Sequence, residues 1–461
     1  DGWGSDLVTG GSGTLGGLIA VGNFVRAADS PAAGVAAFDG RAWSALGTAD
    51  VGNGAPDARA IIAVDAGMGT LGGRMYVASR AAGGAPTHGV AAWDGDAWSS
   101  IGPASMETVH VQCFALGDLG GGARLFAGGH ITPDAAGTDA IIAWDGEAWS
   151  VVAGGLDSAS INAMAVGSVA GGESMLFVGG HLNAIGGEEF HAVAAIDDQG
   201  WVHLGGGLPG QNGRNDRVLA LALHDDGAGS ALYAGGLLDD QVPALANGVV
   251  KWEGVAWSRL GDPLDAPYAA VYALCSADLG NGPRLYAAGE FDGGSGAPRN
   301  IAEWDGDAWR PLADGLPHAV RALAVIETAH GTRLAAATGG FAGDEPDERV
   351  HLWDGSGWSE FGATANGPAA GIAQGAHEDG AVYIVGAFTE VGGVPSEGIA
   401  RWGCLEGCAA DFNGDNVVDS RDFIAYLDVW ATGHPDADMD GNGLVDSRDF
   451  IAFLNAWSAG C

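Results

Sequence analysis

Ala91-Ala92-Trp93-Asp94-Gly95-Asp96-Ala97-Trp98-Ser99-Ser100-Ile101-Gly102 sets two β-favouring runs on either side of an Asp-Gly pair. Such runs around an Asp-Gly turn predict a β-hairpin. Four residues separate Trp93 from Trp98, so a four-residue loop places the indoles opposite each other as a cross-strand pair.

The unit recurs along most of the chain. Its first aromatic slot holds Phe38, Trp93, Trp144, Ile196, Trp252, Trp304, Trp353 and Trp402, at spacings of 49 to 56 residues. The second slot holds Trp43, Trp98, Trp149, Trp201, Trp257, Trp309 and Trp358. Upstream of each hairpin lie two more apolar runs, such as Val218–Leu223 and Leu232–Gly236. Four short strands per unit, repeated at about fifty residues, predict an all-β propeller of kelch-like period over residues 1–403. The kelch resemblance rests on this period and on the Trp-Asp-Gly hairpins, and it implies the fold alone.

Eight units can be counted, and the eighth stops after Ile399-Ala400-Arg401-Trp402. Asp1-Gly2-Trp3-Gly4 reads as the missing fourth strand, closing an eight-bladed ring; seven blades with one decayed unit is the alternative. Closure removes unpaired strand edges. Thirteen of the 16 tryptophans fill hairpin slots, with Trp3 assigned to closure and Trp430 and Trp457 to the C-terminus. None remains for a sugar-stacking platform.

Composition narrows the function classes. The 82 glycines accompany 47% hydrophobic residues, so they belong to turns and bends of a folded chain. A net charge of −39 repels nucleic acid phosphates and anionic membranes and favours divalent cations. No apolar run reaches the 18 or more residues of a membrane span. The chain opens directly on strand-like sequence, which reads as the processed N-terminus of an exported, extracellular or cell-surface protein. Cys113 and Cys275 fall in first-strand runs and read as packed small side chains. Cys404, Cys408 and Cys461 flank the C-terminal segment; export favours a disulfide between two of them, and the sequence leaves the pairing open.

Residues 404–410 form a short connector, and residues 411–461 change period. Two loop-plus-helix units stand 27 residues apart, each matching the oxygen-ligand spacing of an EF-hand loop. The first supplies Asp411, Asn413, Asp415, the Val417 carbonyl, Asp419 and Asp422. The second supplies Asp438, Asp440, Asn442, the Leu444 carbonyl, Asp446 and Asp449. Phe423, Ile424 and Leu427 then mark the buried face of the first helix. Hard oxygen donors at this spacing predict two calcium ions. Acidic propeller loops, such as 290–294 and 344–348, are candidates for more, with plain solvated surface as the rival reading.

This module resembles the dockerin type I family, with Asp rather than Glu at the last loop position, and its Trp457–Cys461 ending resembles those of exported planctomycete proteins. The resemblance implies docking onto a cohesin-like receptor through loop positions ten and eleven, here Ser420 and Arg421, Ser447 and Arg448. Identical pairs in both copies predict a pseudo-two-fold surface, and they offer a cationic patch to an acidic partner, a second copy of the chain included.

Motifs for catalysis are missing: no Gly-x-Ser-x-Gly elbow, zinc helix or phosphate-cradling loop occurs. His130 and His181 share one slot after Gly-Gly, but other units place Asn23, Leu237, Glu290 or Ala387 there, so the pair reads as filler. The expected protein is a non-catalytic, extracellular scaffold with a calcium connector, assembling with itself or with a cohesin-like partner. A dockerin-tethered carbohydrate-active enzyme and a glycan- or protein-binding propeller are the alternatives.

Overall fold

The computed structural model describes residues 3–9, 18–23, 26–27, 30–31, 35–38, 43–45, 58–64, 68–82, 85–94, 98–103, 108–132, 139–157, 160–182, 184–208, 217–238, 248–261, 264, 270–291, 298–328, 331–338, 348–365, 369–374, 382–386, 390–391, 394–395, 399–402, 412, 420–432, 434, 437, 439 and 444–459. Each unit is an antiparallel meander. In one of them Arg217–Asp225 pairs with Ser230–Leu237, which pairs with Val249–Trp252, which pairs with Trp257–Arg259. The innermost strands are Trp3–Thr9, Ala58–Val64, Thr108–Asp118, Ser160–Gly167, Arg217–Asp225, Ala270–Asp278, Val320–Thr328 and Ala369–Gln374. Consecutive members pack together, and Trp3–Thr9 also packs against Ala369–Gln374, so the set closes on itself. The fold is a β-propeller.

The hairpin register agrees with the sequence. Trp93 faces Trp98, Trp144 faces Trp149, Trp252 faces Trp257, Trp304 faces Trp309 and Trp353 faces Trp358. Ring centroids are 5.6 Å apart in the Trp144 pair and 5.3 Å apart in the Trp353 pair. The turn aspartate holds the loop: Asp145 Oδ1 accepts from the N–H groups of Glu147 and Ala148, at 2.9 and 2.8 Å. Gly146 follows at φ 103°, a conformation that favours glycine.

The second-slot tryptophan also ties neighbouring units together. Trp201 donates its indole N–H to the Gly154 carbonyl at 2.8 Å, Trp257 to Leu204 at 2.7 Å, Trp309 to Leu260 at 2.8 Å and Trp358 to Leu312 at 3.0 Å. Each acceptor lies in the preceding unit, so every such bond fixes one inter-blade angle. The apolar core is shared in the same way. Tyr233 and Val249 of one unit pack with Leu285, Ala287, Ala302 and Trp304 of the next.

The N-terminal strand differs from expectation. Trp3–Thr9 pairs with Leu18–Asn23 as the innermost strand of the first unit, with Trp3 opposite Asn23. A hairpin between adjacent runs costs far less loop-closure entropy than pairing with a strand almost four hundred residues away. Trp3 and Gly4 therefore do not complete the last unit, whose described strands are Ala369–Gln374, Val382–Gly386 and Ile399–Trp402, and Asp1 and Gly2 lie outside the described residues. Closure runs instead through the innermost strands.

Cys113 and Cys275 are free and partly buried, as expected. Burial pushes their thiols up to about 12 and about 11, so they stay protonated and unreactive at neutral pH.

Candidate functional site

Two helices follow the ring, α1 (Ser420–Ala431) and α2 (Ser447–Ala459). Equivalent rings of the two repeats meet each other. Tyr426 stacks on Phe453 with centroids 4.1 Å and planes 5° apart, and Phe423 meets Phe450 at 6.4 Å. Contacts between like positions give this pair of helices a local pseudo-two-fold. Trp430 of α1 donates its indole N–H to the Asp446 carbonyl at 3.0 Å, tying the first helix to the entry of the second.

The buried face is shifted from the expected one. Ile424 is 58% exposed and its counterpart Ile451 56%, while Tyr426 and Phe453 are fully buried. The seam follows i, i+3 steps through Phe423 and Tyr426, because the larger aromatic faces fill the space between the helices.

Asp422 and Asp449, the last positions of the two loops, are both completely buried. A buried carboxylate is stable only when paired, hydrogen-bonded or metal-bound. Asp449 Oδ2 accepts the Asp446 N–H at 2.7 Å, and Asp446 Oδ1 accepts the Arg448 N–H at 2.7 Å. These reciprocal bonds form a capping box at the start of α2, so the same carboxylates organise both the loop exit and the helix. Burial, then the negative charge of Asp449, pushes the Tyr426 hydroxyl up to about 12.

Four of the twelve expected calcium ligands are therefore placed: Asp422, Leu444, Asp446 and Asp449. Asp411, Asn413, Asp415, Val417, Asp419, Asp438, Asp440 and Asn442 lie outside the described residues. Among the described residues no three His, Cys, Asp or Glu side chains gather at one point. The donor chemistry fits a hard divalent cation, since every donor in the set, backbone carbonyls included, is an oxygen and two carboxylates are withdrawn from water. Ser447 and Arg448 are exposed, with Arg448 Nη2 3.6 Å from Asp446 Oδ2. The side chains of Ser420 and Arg421 are outside the description.

A second arrangement, at one end of the ring, was not anticipated. Every innermost strand carries a β-bulge at the same place, and the extra residues are Ser5, Arg59, Gln112, Asn162, Leu219, Tyr272, Arg321 and Ala370. Glycines of the second strands that stand opposite the bulges explain themselves here. A Cβ on Gly180 would lie 1.9 Å from the Ser160 carbonyl oxygen, and one on Gly289 1.8 Å from that of Ala270.

Polar contacts link neighbouring bulges. Ser160 Oγ donates to Gln112 Oε1 at 3.1 Å, and Asn162 Nδ2 donates to the Val218 carbonyl at 3.3 Å. Tyr272 donates to Glu290 at 3.1 Å, and the Arg321 guanidinium sits 4.2 Å from the Tyr272 ring centroid. A bulge re-aims a side chain, a device common beside binding sites. Next to this end, His130 Nδ1 meets the buried Asp139 carboxylate at 2.7 Å, and the His110 ring lies 6.2 Å from that of His130. His130 thus has a fixed partner that the sequence reading missed. A separate cavity of about 710 Å³ opens between the third and fourth units, lined by Arg124, Val151, Glu173, Ser174 and Asp198 among others.

No protein-family model matches the chain. No curated protein matches it in sequence. Among solved structures, the Dos1 propeller superposes with a TM-score of 0.50 at 11% identity, covering 87% of this chain and 92% of that one. The extracellular domain of BT4673 from B. thetaiotaomicron aligns at a TM-score of 0.43 and 10% identity, covering 87% of this chain. This chain spans only 38% of that domain's length. The similarity to the Dos1 propeller supports the fold and carries nothing about activity. Among the described residues, no helix is long and apolar enough to cross a membrane.

Proposed function

We propose that this chain is a non-catalytic, extracellular interaction protein, an eight-bladed kelch-like propeller carrying a dockerin-like connector that two calcium ions order. The observation that carries the reading is the pair of fully buried carboxylates, Asp422 and Asp449, at matched positions of two symmetry-related helices. Two buried carboxyl groups at matched loop exits, beside loops rich in further acids, offer hard oxygen donors that suit a divalent cation. Eight innermost strands packed in closed succession support the blade count. The matched exposed faces of the helices, with Arg448 on a chain of net charge −39, favour an acidic partner surface. A propeller of a second copy offers one, and successive heterologous contacts of this kind propagate into fibres on the cell surface. Docking to a cohesin-like receptor, with the propeller binding a glycan or protein or acting on carbohydrate, is the rival.

Calorimetric titration after chelation tests the calcium reading. At least two equivalents should bind to the native chain, and Asp411→Ala with Asp438→Ala should abolish the uptake. An unchanged stoichiometry in that double variant would sink it. Light scattering and electron microscopy, with calcium and then with chelator, separate self-assembly from receptor docking. A strict monomer at saturating calcium leaves only the receptor.

A further inference from the structure

We propose that Lys251 and Asp226 condense into an intramolecular isopeptide bond that staples one blade of the ring. Lys251 is the single lysine among 19 cationic residues. It stands on Val249–Trp252, directly opposite Tyr233 on one side and Ser258 on the other. Its side chain is only 8% exposed, and Nζ lies 2.7 Å from Oδ2 of Asp226, itself 7% exposed. Glu253 Oε1 is 2.9 Å from the same nitrogen and reaches solvent. Tyr233 donates its hydroxyl to Asp226 Oδ2 at 2.9 Å, and its ring centroid is 5.8 Å from Nζ.

An ion pair alone does not require lysine here. Elsewhere the chain sets arginine against acids, as in Arg310 with Asp305 and Arg284 with Glu303. Arginine keeps its proton and cannot be acylated under these conditions, whereas a buried lysine can give its proton up. Burial is the largest influence on both partners, pulling the amine down and the carboxyl up, toward their neutral forms. The mutual hydrogen bond and charge outweigh it and keep the resting pair ionised. Condensation replaces two desolvated charges with one neutral amide, which removes the main cost of burying them.

The step balances without any co-reactant. Glu253 takes a proton from Nζ, and the freed lone pair adds to Cγ of Asp226. The Tyr233 hydroxyl supports the charge that develops on the carboxyl oxygen. The N–Cγ bond forms and one Cγ–O bond breaks. The departing oxygen leaves as water, carrying the two protons lost by nitrogen, one of them returned by Glu253. Holding amine and carboxyl in contact supplies the orientation that such a reaction lacks in free solution. The product ties the loop between the first two strands to the third strand of the same unit, in a ring whose described cysteines are free.

The test is the intact mass of the full chain, reduced and measured in denaturant. The native protein should be lighter than its sequence by one water, and Lys251→Arg should restore the full mass. An aspartimide at an Asp-Gly turn would also lose one water, but it would persist in Lys251→Arg. Should that variant fail to fold, peptide mapping of the native protein decides. A branched peptide joining the segments around Asp226 and Lys251 supports the bond, and a linear peptide bearing free Lys251 overturns it. Glu253→Gln should fold yet stay largely unlinked; complete linkage in that variant would remove Glu253 from the mechanism and overturn the relay.

Discussion

Exchanging Trp309 and Trp304 for phenylalanine, one at a time, isolates the bond that joins neighbouring blades. The two residues face each other across one hairpin, with ring centroids 5.5 Å apart. Trp309 donates its indole N–H to the Leu260 carbonyl of the preceding unit at 2.8 Å. Trp304 Nε1 is buried with no hydrogen-bond partner among the described residues. Either exchange removes the same atoms, at a cavity cost of about 1–2 kcal/mol that largely cancels in the comparison. Trp309→Phe additionally strands a carbonyl, costing about 1–3 kcal/mol, while Trp304→Phe deletes an unmet donor and recovers a similar amount. Trp309 is the more exposed ring, so its share sits at the low end, and the two variants should differ by about 2–4 kcal/mol. Equilibrium unfolding in urea measures this, provided the m-values match. Trp304→Phe proving as damaging as Trp309→Phe would refute the role given to the inter-blade bond.

Gly289→Ala should cost about 3 kcal/mol or more, or prevent folding, because its Cβ would strike the Ala270 carbonyl. Gly357→Ala, with open space around the new atom, should melt like the parent in the same thermal scan. The turn aspartate predicts a pH window. The Ala308 N–H above all, and then Arg310, hold the Asp305 carboxyl down at about 2, below the usual carboxylate range. That stabilisation is present above the unfolded value and lost as pH falls toward the folded one. Asp305→Ala should therefore lower the urea midpoint clearly at pH 7 and much less near pH 2.

The repeat was legible because its determinants are local. An Asp-Gly pair, the two indoles around it and the alternation beside them all act within one hairpin, and each hairpin formed in the expected register. What escaped depends on neighbours remote in the chain. The indole bonds to preceding units span 46 to 53 residues, so no window of sequence displays donor and acceptor together. Trp3 fits a closing strand for the incomplete eighth unit, whereas the strand it begins is settled by adjacent pairing. Ile424 fits an apolar helical face, and only the second helix reveals that Tyr426 occupies the seam instead.

The bulges show a different limit, and they say where the propeller's own function is to be sought. Part of their frame is visible as Gly-Gly in three second strands, at 128–129, 179–180 and 235–236, but the residue they present changes from unit to unit. Gln112, Asn162, Leu219, Tyr272 and Arg321 have no single chemistry in common, so no motif search gathers them. Yet in four units the backbone spends a glycine with no room for a side chain, Gly129, Gly180, Gly236 and Gly289, on keeping the position in place. Tryptophan, aspartate and glycine repeat because they build the ring. An inner-strand position that varies on such a frame is free to respond to whatever enters the channel. A ligand of the propeller would therefore be recognised by the arc from Gln112 to Arg321. Exchanging those residues should alter binding while leaving the melting of the ring nearly unchanged, and a large loss of stability would mean that they serve the frame instead.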